Sequence, residues 1–109
     1  MYIHIAVRVD WDENKNRANI AKHGIEFSTA KSVFDDPLFV TRLDPFPDEE
    51  RFRTIGAAPN GILFVVHTIK ELSGGDELCW IVSARYATSA ERKAYEEGNH
   101  YTRITTTAR

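Results

Sequence analysis

Three arginines and a histidine lie on segments of the sequence that have the character of β-strands. Arg51 and Arg53 alternate in one segment, His67 follows an apolar run, and Arg85 ends another apolar segment. Alternate residues of a strand share one face of a sheet, so neighbouring strands can gather these four side chains on one face. Guanidinium groups stay charged and bind two phosphate oxygens at once, and the predicted cluster therefore suits a phosphodiester.

The chemistry that these residue types favour is RNA cleavage by the RNA's own 2′-hydroxyl group. The reaction needs a base, cations for the charge that develops on phosphorus, and an acid for the leaving oxygen. Glu50 or His67 is the candidate base, and His67 or His23 is the candidate acid. Arg51 and Arg85 are the candidate cations. The competing interpretation is a self-neutralising surface patch, because acidic residues directly precede Arg51.

A cluster of carboxylates offers a second kind of chemistry. Asp48, Glu49 and Glu50 suit a small metal-dependent hydrolase, although a solvated acidic loop explains the same run. No GxGxxG, P-loop, HExxH or CxxC motif occurs, so we expect neither a metal nor a cofactor. The single Cys79 cannot form a disulfide within the chain, which predicts a small core or half-buried residue in a reducing, cytoplasmic environment.

The composition is that of a globular protein. Its 109 residues predict one domain over 1–109, with 42% hydrophobic and 28% charged residues. No apolar run approaches the roughly 18 residues of a membrane helix, so no membrane partner is expected. Because the net charge is −2, a nucleic acid would have to bind to a local patch of arginines.

The N-terminal part of the chain predicts a strand followed by two helices. Residues 2–10 alternate apolar and polar side chains, as a half-buried strand does. A helix over 12–24 begins with the N-cap Asp12 and ends at Gly24. Its apolar stripe is narrow, with Ala18 and Ala21 and the nearby Ile20 and Ile25, so we expect the helix to lie on the surface. A second helix over 27–36 ends before a proline and packs more tightly.

The remainder of the chain predicts an antiparallel sheet and a last helix, which makes the fold class α+β. Strands are predicted over 38–42, 51–56, 61–68 and 78–86, and the last three form a meander. Loops are predicted over 44–50 and 72–77. Thr88 and Glu91 have the spacing of a capping box, and a helix follows over 89–97. The tail, 99–109, is either a mobile end or a strand that orders in an oligomer.

Several blocks of the sequence match a known family in order. They are Trp11-Asp12-Glu13, Lys22-His23-Gly24, Val33-Phe34-Asp35-Asp36-Pro37, Val65-Val66-His67-Thr68, Ser83-Ala84-Arg85 and Glu91-Arg92. With these blocks the chain resembles the BrnT toxins of bacterial type II toxin–antitoxin systems. The resemblance covers residues from about 11 to 97.

The resemblance implies a RelE-like fold and a metal-independent ribonuclease that halts translation. It also implies a BrnA-type ribbon-helix-helix antitoxin, through which alone the complex binds operator DNA. The assembly would be a homodimer or a heterotetramer with the antitoxin. The positions that match the family are Lys22, His23, Glu50, Arg51, His67, Arg85 and Arg92, and Arg53 completes the candidate substrate-binding set with Lys22, His23 and Arg92.

Two departures from the family pattern favour an alternative. Cys79 stands where relatives often have arginine, and Tyr86 stands where they often have a basic residue. Both changes are expected to reduce the cationic face. The alternative is a weak or inactive relative that pairs with the antitoxin and tunes transcription.

Overall fold

The computed structural model of the chain describes residues 7–98. Within them, five strands are present: β1 (Val7–Trp11), β2 (Val40–Asp44), β3 (Arg51–Ala58), β4 (Gly61–Glu71) and β5 (Glu77–Tyr86). The α-helices are α1 (Glu13–His23), α2 (Phe27–Ala30) and α3 (Ser89–Glu96). Two 3₁₀ segments are Lys31–Asp35 and Ser73–Gly75. The predicted strand residues 2–6 and the predicted tail 99–109 lie outside the described residues. No helix in the described part has the length and apolar character to cross a membrane.

The strands form one mixed sheet in the order β1-β5-β4-β3-β2. The predicted antiparallel meander is confirmed, and β2 extends it to four strands. The expected all-antiparallel sheet is wrong at one edge, where β1 pairs in parallel with β5. The predicted second helix is also shorter than expected, because α2 has a single turn and continues as the 3₁₀ segment Lys31–Asp35. The fold class, α+β, is confirmed.

The two faces of the sheet carry different residues. Cross-strand partners point to the same face, and one face, the core face, carries Thr54, Val65, His67 and Ile81. Four buried residues between α1 and the end of the first 3₁₀ segment pack on this face: Ile25, Phe27, Ala30 and Val33. The opposite face, the α3 face, carries Arg53, Ile55, Phe64 and Arg85.

A bulge in β5 sets which residues share a face with Arg85. Val66 pairs with Ser83, but the next residue, His67, pairs with Ile81, so Val82 is an extra residue in β5. An extra residue reverses the alternation of side chains beyond it. Simple alternation along this strand would put Ser83 and Ile81 on the face of Arg85; the bulge leaves Ser83 there and moves Ile81 to the opposite face.

Two buried asparagines dock α1. Asn16 accepts a hydrogen bond from the Phe27 amide (2.8 Å). The Asn19 amide donates to the carbonyls of Ile25 (2.9 Å) and Ala84 (2.8 Å), and its oxygen accepts from the Ala84 N–H (3.1 Å). The expected surface position of α1 is confirmed. The expected apolar stripe is wrong, because Ala18, Ile20 and Ala21 are exposed and only Ile25, beyond the helix end, is buried. Polar bonds to backbone groups thus replace apolar packing for this helix.

Both predicted ends of α1 and the predicted start of α3 are confirmed. Asp12 accepts from the Lys15 amide at 3.0 Å, and Gly24 has a left-handed φ of 72° at the end of α1. The Thr88 hydroxyl accepts from the Glu91 amide, and the Glu91 carboxylate accepts from the Thr88 amide, which completes the capping box. No residue of α3 is buried. Polar contacts at its ends therefore contribute much of what holds α3 in place.

Candidate active site

A row of side chains crosses the α3 face at right angles to the strands. Arg42 pairs with Arg53, Arg53 with Val66, and Val66 with Ser83. Neighbouring strands lie about 4.8 Å apart, so the Arg42 and Arg53 backbones are close neighbours. The predicted gathering of Arg51, Arg53 and Arg85 on one face is consistent with this pairing, and Arg42 is an addition that the sequence reasoning missed. Arg42 could have been identified only from the register between β2 and β3. The loop that joins these strands is too long for the sequence to fix that register.

A cleft of about 220 Å³ lies between α3 and the sheet. Two arginines and one glutamate are the charged residues of a lining that is otherwise apolar. The lining residues are Val40, Arg42, Arg53, Ile55, Phe64, Ala90, Glu91 and Ala94. Apolar surroundings strengthen the interaction of a guanidinium group with an anion, so the cleft is suited to a phosphate or carboxylate ligand.

Arg85 is fixed beside this cleft by two contacts. Its terminal nitrogens donate to both carboxylate oxygens of Glu91, at 2.8 and 3.0 Å. Its guanidinium also lies over the Phe64 ring, 4.0 Å from the centroid. The hydrogen bonds to Arg85 lower the pKa of Glu91, and the same bonds raise the pKa of Arg85. Both groups are therefore charged throughout the physiological pH range.

The other predicted arginines are also paired with acids. Arg53 donates to Asp44 at 2.9 Å, and this hydrogen bond is the main cause that lowers the pKa of Asp44. Arg51 donates to Glu49 at 2.8 Å and lies over the Phe46 ring, 3.9 Å from its centroid. These contacts orient the guanidinium groups, and an incoming phosphate would exchange with the carboxylates.

His67 lies on the core face, so the expectation that it joins the arginines is wrong. Its side chain is only 2% exposed, and its Nε2 lies 2.7 Å from the Thr54 hydroxyl, which lies 2.9 Å from the Thr41 hydroxyl. Rings of Phe34 and Phe52 flank it. Burial disfavours the imidazolium ion and lowers the pKa of His67 to about 4. The reason for the separation is alternation, because Arg53 pairs with Val66, the neighbour of His67.

Cys79 is also on the core face, where it is buried beside the His67 end of the sheet. Burial, with the charge of Glu77 as a smaller cause, raises the pKa of its thiol to about 12. The prediction of a small core residue is confirmed. The expectation that this position reduces the cationic face is wrong, since a side chain at 79 points away from the arginines.

The remaining predicted site residues do not line the cleft between α3 and the sheet. Lys22 is exposed and His23 is half-buried at the end of α1, beside Val82 and Ser83. Glu50 is exposed at the end of the loop before β3, and Arg92 is exposed on α3. The structure therefore does not gather these residues into the cleft that Arg53 lines.

The acidic run 48–50 shows no metal-site geometry in the described part of the chain. No group of three or more His, Cys, Asp or Glu side chains within residues 7–98 is arranged to hold a metal ion. Glu49 is engaged by Arg51 instead.

Comparison with known proteins addresses the family directly. The family model described as "Ribonuclease toxin, BrnT, of type II toxin-antitoxin system" matches residues 11–91. No curated protein matches the chain. The matched region runs from the last residue of β1 to the first turn of α3, and so includes the whole arginine row and its partners. Because this match spans most of the sequence, the chain belongs to the BrnT family of ribonuclease toxins of type II toxin–antitoxin systems.

Proposed function

We propose that the chain is an endoribonuclease that cuts RNA without a metal ion and thereby inhibits translation. The observation that carries the proposal is the cross-strand pairing of Arg42 with Arg53, on the same face as Arg85. Like charges that face each other across strands are unfavourable. Asp44 offsets this charge at Arg53 in the free chain, and the proposed function requires a substrate anion that takes the place of that carboxylate. A phosphodiester fits this requirement, because its charge increases as the pentacoordinate intermediate forms.

The arginines of the α3 face supply the cations. Arg53 and Arg85 hold the scissile phosphate, and Arg51 and Arg42 add positive charge around it. Guanidinium forks bind two phosphate oxygens in a fixed geometry, which aligns the 2′-oxygen with phosphorus. Arg92 and Lys22 bind parts of the RNA away from the reacting phosphorus, and His23 contacts the RNA at the leaving oxygen. The carboxylates that pair with the arginines keep the guanidinium groups oriented until RNA replaces them.

Proton transfer is assigned to exposed groups. Glu50 acts as the base, since Glu91 is bound by Arg85 and Thr88 and its lowered pKa makes it a weak base. His23 acts as the acid, in addition to its contact with RNA. We assign His67 a structural role, in keeping with its burial and its hydrogen bond to Thr54. This revision removes one of the two histidines that the sequence offered for catalysis.

The proposed partner is a BrnA-type antitoxin with a ribbon-helix-helix domain. Acidic side chains of the antitoxin would compete with RNA for the arginines of the α3 face, and the complex would repress its own operon through the antitoxin's DNA-binding domain. We infer that the arrangement of helices around the meander is a variant of the RelE-like layout, with α3 over the face that binds RNA.

The test is cleavage of a 5′-labelled single-stranded RNA by purified protein in EDTA. We expect cleavage by the wild type and at least a hundredfold slower cleavage by Arg53→Ala and Arg85→Ala. Lys31→Ala removes an exposed lysine away from the arginines and serves as the control. Induced expression should arrest growth, and Arg85→Ala should relieve the arrest. Folded wild-type protein that leaves RNA intact, or activity that EDTA abolishes, would refute the proposal.

A second candidate function is a weak or inactive toxin relative that serves as a co-repressor module. The observation that favours it is that Arg51, Arg53 and Arg85 each have a carboxylate partner within the chain. Such a protein would leave RNA intact and shift operator DNA only together with its antitoxin. The same cleavage assay, followed by an operator-binding assay of the complex, separates the two functions.

A further inference from the structure

A second cleft, of about 190 Å³, lies where α1 meets the bulged part of β5. Lys15, Lys22 and His23 line it from α1, and Val82 and Ser83 line it from β5. Lys15 and Lys22 are exposed, and within residues 7–98 their ammonium groups have no hydrogen-bond or ion-pair partner. The lysines differ in this respect from the arginines at 51, 53 and 85, each of which forms an ion pair with a carboxylate. The cleft therefore presents positive charge that the described chain leaves uncompensated.

The fold fixes the two lysines in place. Residues 15, 19 and 22 lie on one side of a helix, because side chains four and seven positions apart are neighbours. Asn19, between the lysines, is hydrogen-bonded to both backbone groups of Ala84. β1 pairs with β5 only as far as Ile81, so Asn19 occupies the strand edge that β1 leaves open. The backbone that carries Lys15 and Lys22 is thus anchored beside β5.

The cleft lies at the end of the arginine row. Ser83 pairs with Val66, and Val66 pairs with Arg53, so Ser83 is two strands from Arg53 on the same face, about 10 Å away. Alternation from Arg85 puts Ser83 on this face, and the bulge at Val82 follows directly beside it. Bulges often re-aim side chains next to functional sites. Positively charged side chains therefore lie on both sides of Val66 and Ser83, with Arg53 on one side and the α1 lysines on the other.

We propose that Lys15, Lys22 and Ser83 form a second phosphate subsite, which binds the RNA phosphate next to the scissile one. This inference rests on the proposed function. The lysines supply charge and the Ser83 hydroxyl donates a hydrogen bond to a phosphate oxygen. RNA then crosses the sheet at right angles to the strands, from the arginine row to α1. Single-stranded RNA suits this path, since its flexible backbone lets successive phosphates contact the two sites separately.

The experiment compares RNA lengths. A dinucleotide contains only the scissile phosphate, whereas a hexanucleotide with the same central step also contains its neighbours. Steady-state kinetics on both should show a lower KM for the hexanucleotide with wild-type protein. Lys15→Ala and Ser83→Ala should each raise the hexanucleotide KM about fivefold and leave kcat and the dinucleotide KM unchanged. Lys31→Ala is the matched control, and thermal unfolding checks that every variant is folded.

Binding without cleavage keeps the inference separate from the proposed function. Fluorescence anisotropy with a 2′-deoxy hexanucleotide measures affinity against salt concentration. Removing one lysine–phosphate contact should reduce the slope of log K against log salt by about 0.7. A wild type that binds this oligonucleotide through Lys15 but cuts no RNA refutes the proposed function and retains the subsite. Unchanged affinity and slope in Lys15→Ala and Lys22→Ala refute the subsite, even if the same variants weaken binding of an acidic protein partner.

Discussion

Arg85 and Glu91 form a two-pronged ion pair, with nitrogen–oxygen distances of 2.8 and 3.0 Å. The same carboxylate accepts the Thr88 amide and so caps α3 at 2.9 Å. One acid thus fixes a helix start and occupies the guanidinium fork that the proposed function assigns to phosphate. If Arg85 binds phosphate as proposed, Glu91 occupies the position of a phosphate oxygen and keeps the guanidinium group oriented.

Glu91→Gln tests this placeholder role, in which the Glu91 carboxylate occupies the phosphate position beside Arg85. Glutamine keeps an oxygen for the Thr88 amide but loses the charge that competes with phosphate for Arg85. We expect the KM for RNA to fall about threefold to tenfold with kcat unchanged, and the free energy of unfolding to fall by about 1 kcal/mol, because both side chains are partly exposed. Steady-state kinetics and urea unfolding measure these quantities. Glu96→Gln, exposed on the same helix, is the control, and a raised KM would contradict the placeholder role.

Glu50→Gln tests the assigned base. The amide keeps the size of the side chain but cannot accept the proton of the 2′-hydroxyl, so we expect kcat to fall at least a hundredfold with KM nearly unchanged. Single-turnover cleavage of labelled RNA measures the chemical step directly. Asp48→Asn removes a neighbouring exposed charge of the same loop and should retain activity. Equal losses of kcat in both variants would indicate that cleavage depends on the negative charge of the loop and not on proton transfer to Glu50.

The buried His67 predicts a specific loss of stability in acid. Its pKa is about 4 in the folded chain and 6.5 when exposed, so the unfolded chain binds more protons between these values. Stability is therefore complete above about pH 6.5 and falls by about 3 kcal/mol as the pH drops to about 4. Urea unfolding at pH 7 and 4.5 measures the difference.

A variant isolates the contribution of His67 from that of the carboxylates. His67→Gln keeps a polar partner for Thr54 but does not titrate, so its stability should change much less between pH 7 and 4.5. His23→Gln, which alters a more accessible histidine, should retain the wild-type dependence. A wild-type slope in His67→Gln would show that other groups cause the acid sensitivity.

Asn19→Ala tests the polar docking of α1. The variant loses three buried hydrogen bonds and leaves the Ala84 N–H and two carbonyls without their partner. We expect a loss of about 3 kcal/mol in the free energy of unfolding, since unsatisfied buried groups cost about 1–3 kcal/mol each. Urea denaturation gives the value, with the exposed Asn14→Ala as the control. A loss below 1 kcal/mol would mean that apolar contacts, and not the amide, hold the helix.

Gly56→Ala tests the close contact between β3 and the 3₁₀ segment Lys31–Asp35. A Cβ atom at position 56 would lie 2.7 Å from a Val33 methyl group and 3.2 Å from the Val33 carbonyl oxygen. Overpacking of this kind costs about 1–3 kcal/mol, and we expect a lower midpoint in thermal unfolding. Because Val33 provides the closest contact, the double variant with Val33→Ala should lose less stability than the sum of the two single variants. An unchanged midpoint for Gly56→Ala would refute the packing argument.

The sequence alone predicted the local features of this fold well. Alternating and continuous apolar segments identified four meander strands to within about two residues at the start of each. Asp12, Gly24 and the pair Thr88 and Glu91 located helix ends correctly. These features depend on neighbours within a few residues, where side-chain chemistry and backbone geometry act directly. The ordered blocks of the sequence also predicted the BrnT family, which the family match confirms.

Only the tertiary structure decided which functional groups meet. The register between strands placed Arg42 opposite Arg53 and put His67 on the other face, and the bulge at Val82 separated Ile81 from Arg85. A shift of one residue in a strand moves every later side chain to the opposite face, and no local pattern in the sequence fixes it. The docking of α1 through Asn19 likewise depends on Ala84, 65 positions away. Residue types thus indicated phosphate chemistry, whereas long-range pairing determined which of those residues share a face.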